Sequence, residues 1–222
     1  VIYTKPYNIM KRFFLLAISM LIINALHAQN EPIAGSWYVQ PGAFFFDLGA
    51  ASTTTNIAGA EVPGENVSFT NSLVPGVGVG YFFTENISVY TVIAFPPTTD
   101  ADGINNLDGL KAAEVTYAPF ALTGNYHFQF GDFQPFVGAG IAYAAILQVE
   151  DKDVTDVEAD NSFGFVIRLG FDYMLNEKWG ISAATNKLFV GTDITGDAGG
   201  APAVVEASLD PWVYSLGANI RF

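Results

Sequence analysis

The sequence predicts an all-β protein: an eight-stranded antiparallel transmembrane β-barrel with four long external loops and short periplasmic turns. Three observations lead there. Segments about as long as a tilted bilayer-crossing strand, roughly 9–11 residues, alternate apolar with small or polar side chains. Long polar connections alternate strictly with very short ones, as they do between the two ends of a membrane barrel. Half of the residues are hydrophobic while only 14% are charged, too few charges to coat the water-facing side of a soluble all-β domain.

The chain begins with a segment that reads as an address. Lys11-Arg12 precede the apolar run Phe13 to Ile23, and Ala28 stands before a polar stretch. A basic start, a short apolar run and a small residue describe a cleaved signal peptide. The run falls short of the roughly 18–20 apolar residues of a spanning helix. Residues 1–28 are therefore expected to be the signal peptide, with translation starting at Met10, and 29–222 the mature barrel.

The first strand is expected from Ser36 to Asp47, with Trp37, Val39, Ala43 and Phe45 on one parity. Pro41 fits only as a local irregularity, because it cannot donate to the ladder. Leu48 to Asn71, rich in Thr, Gly, Asn and Glu, reads as a loop. In the second strand, Leu73 to Phe83, the apolar Pro75, Val77, Val79 and Tyr81 alternate with Gly76, Gly78 and Gly80. Bare glycines make a poor lipid-facing surface and suit a narrow interior. Thr84-Glu85-Asn86 turns the chain into a third strand, Ile87 to Phe95, and Pro96 to Val115 is the next long loop.

The fourth strand, Thr116 to Phe130, puts Phe120, Leu122, Tyr126 and Phe128 outward and Tyr117, Ala121, Thr123, Asn125 and His127 inward. After Gly131-Asp132 the fifth, Phe133 to Leu147, alternates just as cleanly, with Gly138, Gly140 and Ala142 inward. Val149 to Asn161 is an acidic loop. The sixth strand, Ser162 to Leu175, sets Phe163, Phe165, Ile167, Leu169, Phe171 and Tyr173 against Arg168 and Asp172. Asn176-Glu177-Lys178 leads to the weakest strand, Trp179 to Val190, and Gly191 to Ala207 is the fourth long loop. The last strand starts at Ser208, and its final eleven residues, Trp212 to Phe222, alternate cleanly and end on an aromatic residue. It resembles the closing strand of bacterial outer-membrane barrels, where that end is the recognition signal of the assembly machinery.

Parity alone leaves open whether the apolar set meets lipid or a dry core, since a lipocalin-like barrel also has eight strands. The opposite set decides. It carries Gly, Ser, Ala, Asn and Thr rather than the charges a water-facing surface needs. Tyr81, Tyr126, Phe128, Phe133, Tyr173 and Trp179 cluster near the short turns, as an interfacial aromatic belt does. The net charge of -13 argues against a nucleic-acid partner. The absence of cysteine removes disulfide frameworks and thiolate zinc sites.

At this point the residues resemble a known family, the OmpW family of small outer-membrane barrels. The matching pieces are Asn86-Ile87-Ser88-Val89 leading to Ala94-Phe95-Pro96, Phe133-Gln134-Pro135-Phe136 running to Tyr143, Gly170-Phe171-Asp172-Tyr173, Asn176-Glu177-Lys178-Trp179, Thr192-Asp193-Ile194, and Leu209-Asp210-Pro211-Trp212 with Arg221-Phe222. The resemblance implies a barrel with an apolar lumen that passes small hydrophobic molecules across the outer membrane. It puts Val92 at an inward aliphatic position near a narrow point. Where the family has an inward aromatic on the seventh strand, this chain has Asn186.

Two functions from different classes stand. The first is passive, non-enzymatic passage of small hydrophobic solutes. Its lining candidates are Val74, Phe82, Tyr90 and Val92 from the first half of the chain, and Tyr117, Phe136, Val166 and Leu188 from the second. His127, Arg168, Asp172 and Arg221 are expected to form a polar network inside the lumen. Within it, Arg168 and Asp172, four apart on one face, are read as a neutralised ion pair. The second function is a structural or adhesive surface protein whose external loops bind partners and whose barrel is closed. Neither needs a cofactor. No acidic loop has the ligand spacing of a calcium site, no helix follows the glycines to make a nucleotide fingerprint, and His127 has no partner at the external rim for catalysis. The expected partners are outer-membrane lipid, lipopolysaccharide, the barrel-assembly machinery and the solutes themselves.

Overall fold

The computed structural model describes residues 33–48, 52–64 and 67–222. The signal-peptide reading of residues 1–28 lies outside the described residues. Strand β1 (Trp37–Asp47) is followed by a long segment holding β2 (Ser52–Ile57), β3 (Ala60–Val62) and β4 (Val67–Phe69). Next, β5 (Ser72–Phe82) and β6 (Ile87–Ala94) form a tight hairpin. After β7 (Thr98–Gly103) and a short 3-10 turn, β8 (Lys111–His127) and β9 (Phe133–Asp151) form the longest hairpin. Strand β10 (Thr155–Ala159) precedes β11 (Ser162–Met174) and β12 (Trp179–Phe189). The chain continues through β13 (Gly191–Asp197) and β14 (Pro202–Ser208) to β15 (Trp212–Arg221).

Eight of these strands close into a barrel in chain order: β1, β5, β6, β8, β9, β11, β12 and β15. Every pairing is antiparallel, and β15 closes on β1 with Tyr38 opposite Arg221 and Asp47 opposite Trp212. A closed wall has no open strand edge facing lipid, which is why a sheet crosses a bilayer only as a closed barrel. The turns at one end are short. At the other end, strands β8 and β9 run 17 and 19 residues, well beyond the roughly 9–11 that a crossing needs.

The four long segments depart from the loops expected of them. β4 and β7 extend the β8 wall, and β10, β13, β14, β2 and β3 form a second, five-stranded sheet. The fourth and fifth barrel strands correspondingly reach Lys111 and Asp151 instead of stopping at Thr116 and Leu147. Their Asn, Gly and Asp residues carried the loop signal. Thr53-Thr54-Thr55 of β2 and Val204-Val205 of β14, with Thr55 opposite Val205, carry enough β-branched character to pair once a neighbouring strand is supplied.

The apolar face points outward. Along β11, Phe163, Phe165, Ile167, Leu169, Phe171 and Tyr173 are exposed, while Val166, Arg168, Asp172 and Met174 between them are buried. A lipocalin-like barrel would show the reverse. On β5 the bare backbone has a steric purpose. A Cβ on Gly78 would fall 2.1 Å from Tyr90 Oη, and one on Gly80 would fall 2.2 Å from Tyr38 Cζ. Both rings therefore lie against the inner wall where glycine leaves room for them. Near the short turns the outward rings contact one another: Trp37 with Tyr81 at 5.0 Å, Tyr126 with Phe128 at 5.0 Å and Phe133 with Phe171 at 5.5 Å between centroids.

Candidate functional site

The lumen divides into two zones. Toward the short turns it is filled by a polar plug centred on Asp172, which is fully buried. Gln40 Nε2 donates to Asp172 Oδ1 at 3.1 Å, Arg221 Nη2 lies 4.0 Å from Oδ2, and His127 Nδ1 lies 3.9 Å from the same oxygen. Arg221 also donates to Gln134 Oε1. Four strands thus converge on one carboxylate: β1, β8, β11 and β15. A buried charge left without partners would cost several kcal/mol, on the order of 3–5, so these contacts hold the floor of the barrel together.

Arg168 and Asp172 do not pair directly, which corrects the expected ion pair. Four residues along a strand span about 13 Å, too far for the two side chains to meet. Instead Arg168 Nη2 donates to Gln40 Oε1 at 3.2 Å, so Gln40 bridges the two. The Arg168 guanidinium lies over the Tyr90 ring, 3.7 Å from its centroid, with Phe136 at 4.9 Å. Both ring faces compensate part of the desolvation of the cation.

His127 Nε2 is 2.9 Å from Ser88 Oγ, and Ser88 Oγ is 3.1 Å from Tyr38 Oη. Ser88, His127 and Asp172 therefore stand in the order of a hydrolytic triad. Two features set them apart from one. The 3.9 Å gap from His127 Nδ1 to Asp172 exceeds a hydrogen bond. Ser88 is buried, as is His127, whose imidazole is packed by Tyr38, Phe82 and Phe136, so the hydroxyl has no face for an acyl substrate. The group works as a hydrogen-bonded brace.

Above the plug the lumen is apolar and holds two adjacent cavities. The deeper one, about 40 Å³, is lined by Phe44, Tyr90, Val92, Val166, Asn186 and Leu188, with Arg168 among its lining residues. The upper one, about 60 Å³, is lined by Leu48, Phe69, Tyr117, Val190, Ile194 and Leu209 among others. Phe46, Pro119 and Leu188 border both. Each volume is a few water-sized spheres, so the lumen is narrow at both places.

Of the lining candidates, Tyr90, Val92, Tyr117, Val166 and Leu188 border these cavities. Val74 packs beside them on the Phe44, Phe46 and Val213 cluster. Phe82 and Phe136 sit lower, as part of the plug, Phe82 being 5.2 Å from the Arg221 guanidinium. Sequence reading missed Phe44 and Phe46, because the run Phe44-Phe45-Phe46 shows no contrast between parities. Gln40, Gln134 and Ser88 were missed too. Their signal was an amide or hydroxyl at an inward position of an otherwise apolar strand.

One seam in the wall is weak. The β6–β8 ladder stops at Ile93 opposite Phe120, and β7 rejoins β8 only at Thr98 opposite Thr116. Pro96, Pro97 and Pro119 fall in the gap, and none can donate a backbone hydrogen bond. Tyr117 N–H to Pro97 O, at 3.1 Å, spans it.

Comparison with known proteins places this architecture. The OmpW family model matches residues 34–222. An uncharacterized outer-membrane protein of Sinorhizobium fredii is 36% identical over 72% of this chain and 71% of its own length. The dibenzothiophene metabolism operon protein PahQ of Pseudomonas aeruginosa is 30% identical over 78% of this chain and 82% of its own. The crystal structure of the outer membrane protein OprG from Pseudomonas aeruginosa superposes with a TM-score of 0.80 at 25% identity, over 86% of this chain and 99% of that one. The short turns are accordingly periplasmic and the long segments external, and the chain belongs to the OmpW family of outer-membrane β-barrel proteins.

Proposed function

We propose that the barrel is a narrow, non-enzymatic passage for small hydrophobic molecules. The observation that carries this reading is the pair of adjacent apolar cavities on the external side of the buried polar plug. A solute entering from outside meets apolar walls and then Arg168 and Asp172, so its exit is sideways. The proline-interrupted seam beside Pro119, which borders both cavities, is the exit that costs the fewest hydrogen bonds. A relative encoded in a dibenzothiophene metabolism operon supports an apolar solute class. In the same reading, β15 is the strand presented to the barrel-assembly machinery, and the external segments contact lipopolysaccharide.

Cells expressing the barrel should take up an apolar tracer such as 1-octanol faster than cells lacking it. Val92→Trp, filling the deeper cavity, should reduce that gain several-fold. Uptake unchanged by Val92→Trp would reject the passage. The folded five-stranded external sheet favours a second reading, a surface protein that binds partners through β2, β13 and β14. Replacing the β13–β14 hairpin by a short turn, with uptake kept and a surface phenotype lost, would favour it.

A further inference from the structure

The deeper cavity is apolar except at its floor, where a buried arginine stands with few partners. Arg168 has five N–H donors but only one hydrogen-bond acceptor among the described residues, Gln40 Oε1. No carboxylate lies within ion-pairing distance of it among those residues. Asp172 is instead approached by Arg221 and His127. The plug therefore holds two guanidinium groups against one carboxylate. None of the residues lining either cavity is acidic. Thr123 and Asn186 join Arg168 in the deeper lining, and Asn186 Nδ2 donates to Val213 O at 3.1 Å.

An apolar tube ending on an under-partnered cation matches one ligand chemistry: a hydrocarbon tail with an anionic head. We infer that Arg168 forms an anion subsite at the floor of the passage, for the carboxylate of a single-chain amphiphile. The tail lies upward among Phe46, Val92 and Leu188. The rings of Tyr90 and Phe136 pack against the guanidinium, and its unused N–H groups are the donors that a carboxylate accepts, with the charge-assisted strength of such bonds. Desolvation of the head is offset most fully there, because Arg168 is the one cationic side chain among the residues lining the two cavities. The acidic external segments do not oppose this at depth. At physiological ionic strength exposed charges are screened within about 8–10 Å. The inference rests on the proposed passage and names the preferred solute within it.

The test is the ratio of octanoate uptake to 1-octanol uptake, measured with labelled solutes in cells expressing wild type, Arg168→Gln or Arg168→Lys, each divided by the empty-vector rate. Folding of each barrel is checked by protease resistance. The wild type should show the highest ratio. Arg168→Gln should lower it about tenfold, equivalent to about 1.4 kcal/mol, and Arg168→Lys, which keeps the charge, should recover most of it. A ratio equal in wild type and Arg168→Gln overturns the subsite. So does a wild type that accelerates 1-octanol but not octanoate, which leaves the passage itself standing. A wild type that accelerates neither solute overturns both.

Discussion

Asp172→Asn isolates the electrostatic part of the plug, because it keeps the shape of the side chain and removes only its charge. In the wild type the carboxylate accepts from Gln40 at 3.1 Å and faces Arg221 at 4.0 Å and His127 at 3.9 Å, with no exposure to solvent. The asparagine oxygen can still accept from Gln40. Its amide then points a donor toward Arg221, whose remaining neutral acceptor is Gln134. Removing one member of a buried ion pair typically costs about 3–5 kcal/mol. Retained shape and the Gln134 bond put this variant near the lower end, about 3 kcal/mol. Adding Arg221→Gln removes the uncompensated cation. The double variant should then be about 1–3 kcal/mol more stable than the sum of the single changes predicts. Guanidinium unfolding in lipid vesicles, followed by the fluorescence of the wall residues Trp37, Trp179 and Trp212, gives all four stabilities. Asp172→Asn within about 0.5 kcal/mol of wild type, or strict additivity in the cycle, would refute an ion-held floor.

Two further stability experiments probe the wall. Leu169, exposed and central on β11, should tolerate Arg poorly, at a cost of about 2–4 kcal/mol, whereas Leu175→Arg, beside the periplasmic turn, should cost about 0–1 kcal/mol. Equal costs in vesicle unfolding would contradict the membrane placement of β11. Gly78→Val should destabilise by about 1–3 kcal/mol through overpacking against Tyr90, and much of that penalty should vanish in a Tyr90→Ala background. A Gly78→Val penalty indifferent to Tyr90 would show that the ring does not lie against that wall.

Much of this architecture was legible locally. A residue on a membrane strand has only two surroundings, lipid or lumen, and they alternate every residue. The side chains of β11 therefore declared their faces without reference to any other strand, and so did the strand count and the alternation of long and short connections. Phe163 to Tyr173 on one parity and Arg168 with Asp172 on the other could mean little else. The external sheet was not legible, because its strands are short, polar and stabilised by partners distant in the chain. β2 and β14 pair across some hundred and fifty residues, from Ser52 opposite Ser208 to Ile57 opposite Ala203.

Local patterning along the chain was enough to specify the barrel, its facing and its membrane. Which inward residues meet emerged only from the closed fold. Gln40 reaches Asp172 across 132 positions, Arg221 reaches Gln134 across 87, and Ser88 reaches His127 across 39. Such contacts depend on strand tilt and stagger, which set the height of each inward side chain relative to those opposite. A period of two says that a residue points inward and carries no information about height. That is why Arg168 and Asp172 read as partners along one strand, and why the bridging Gln40 emerged only when the barrel closed.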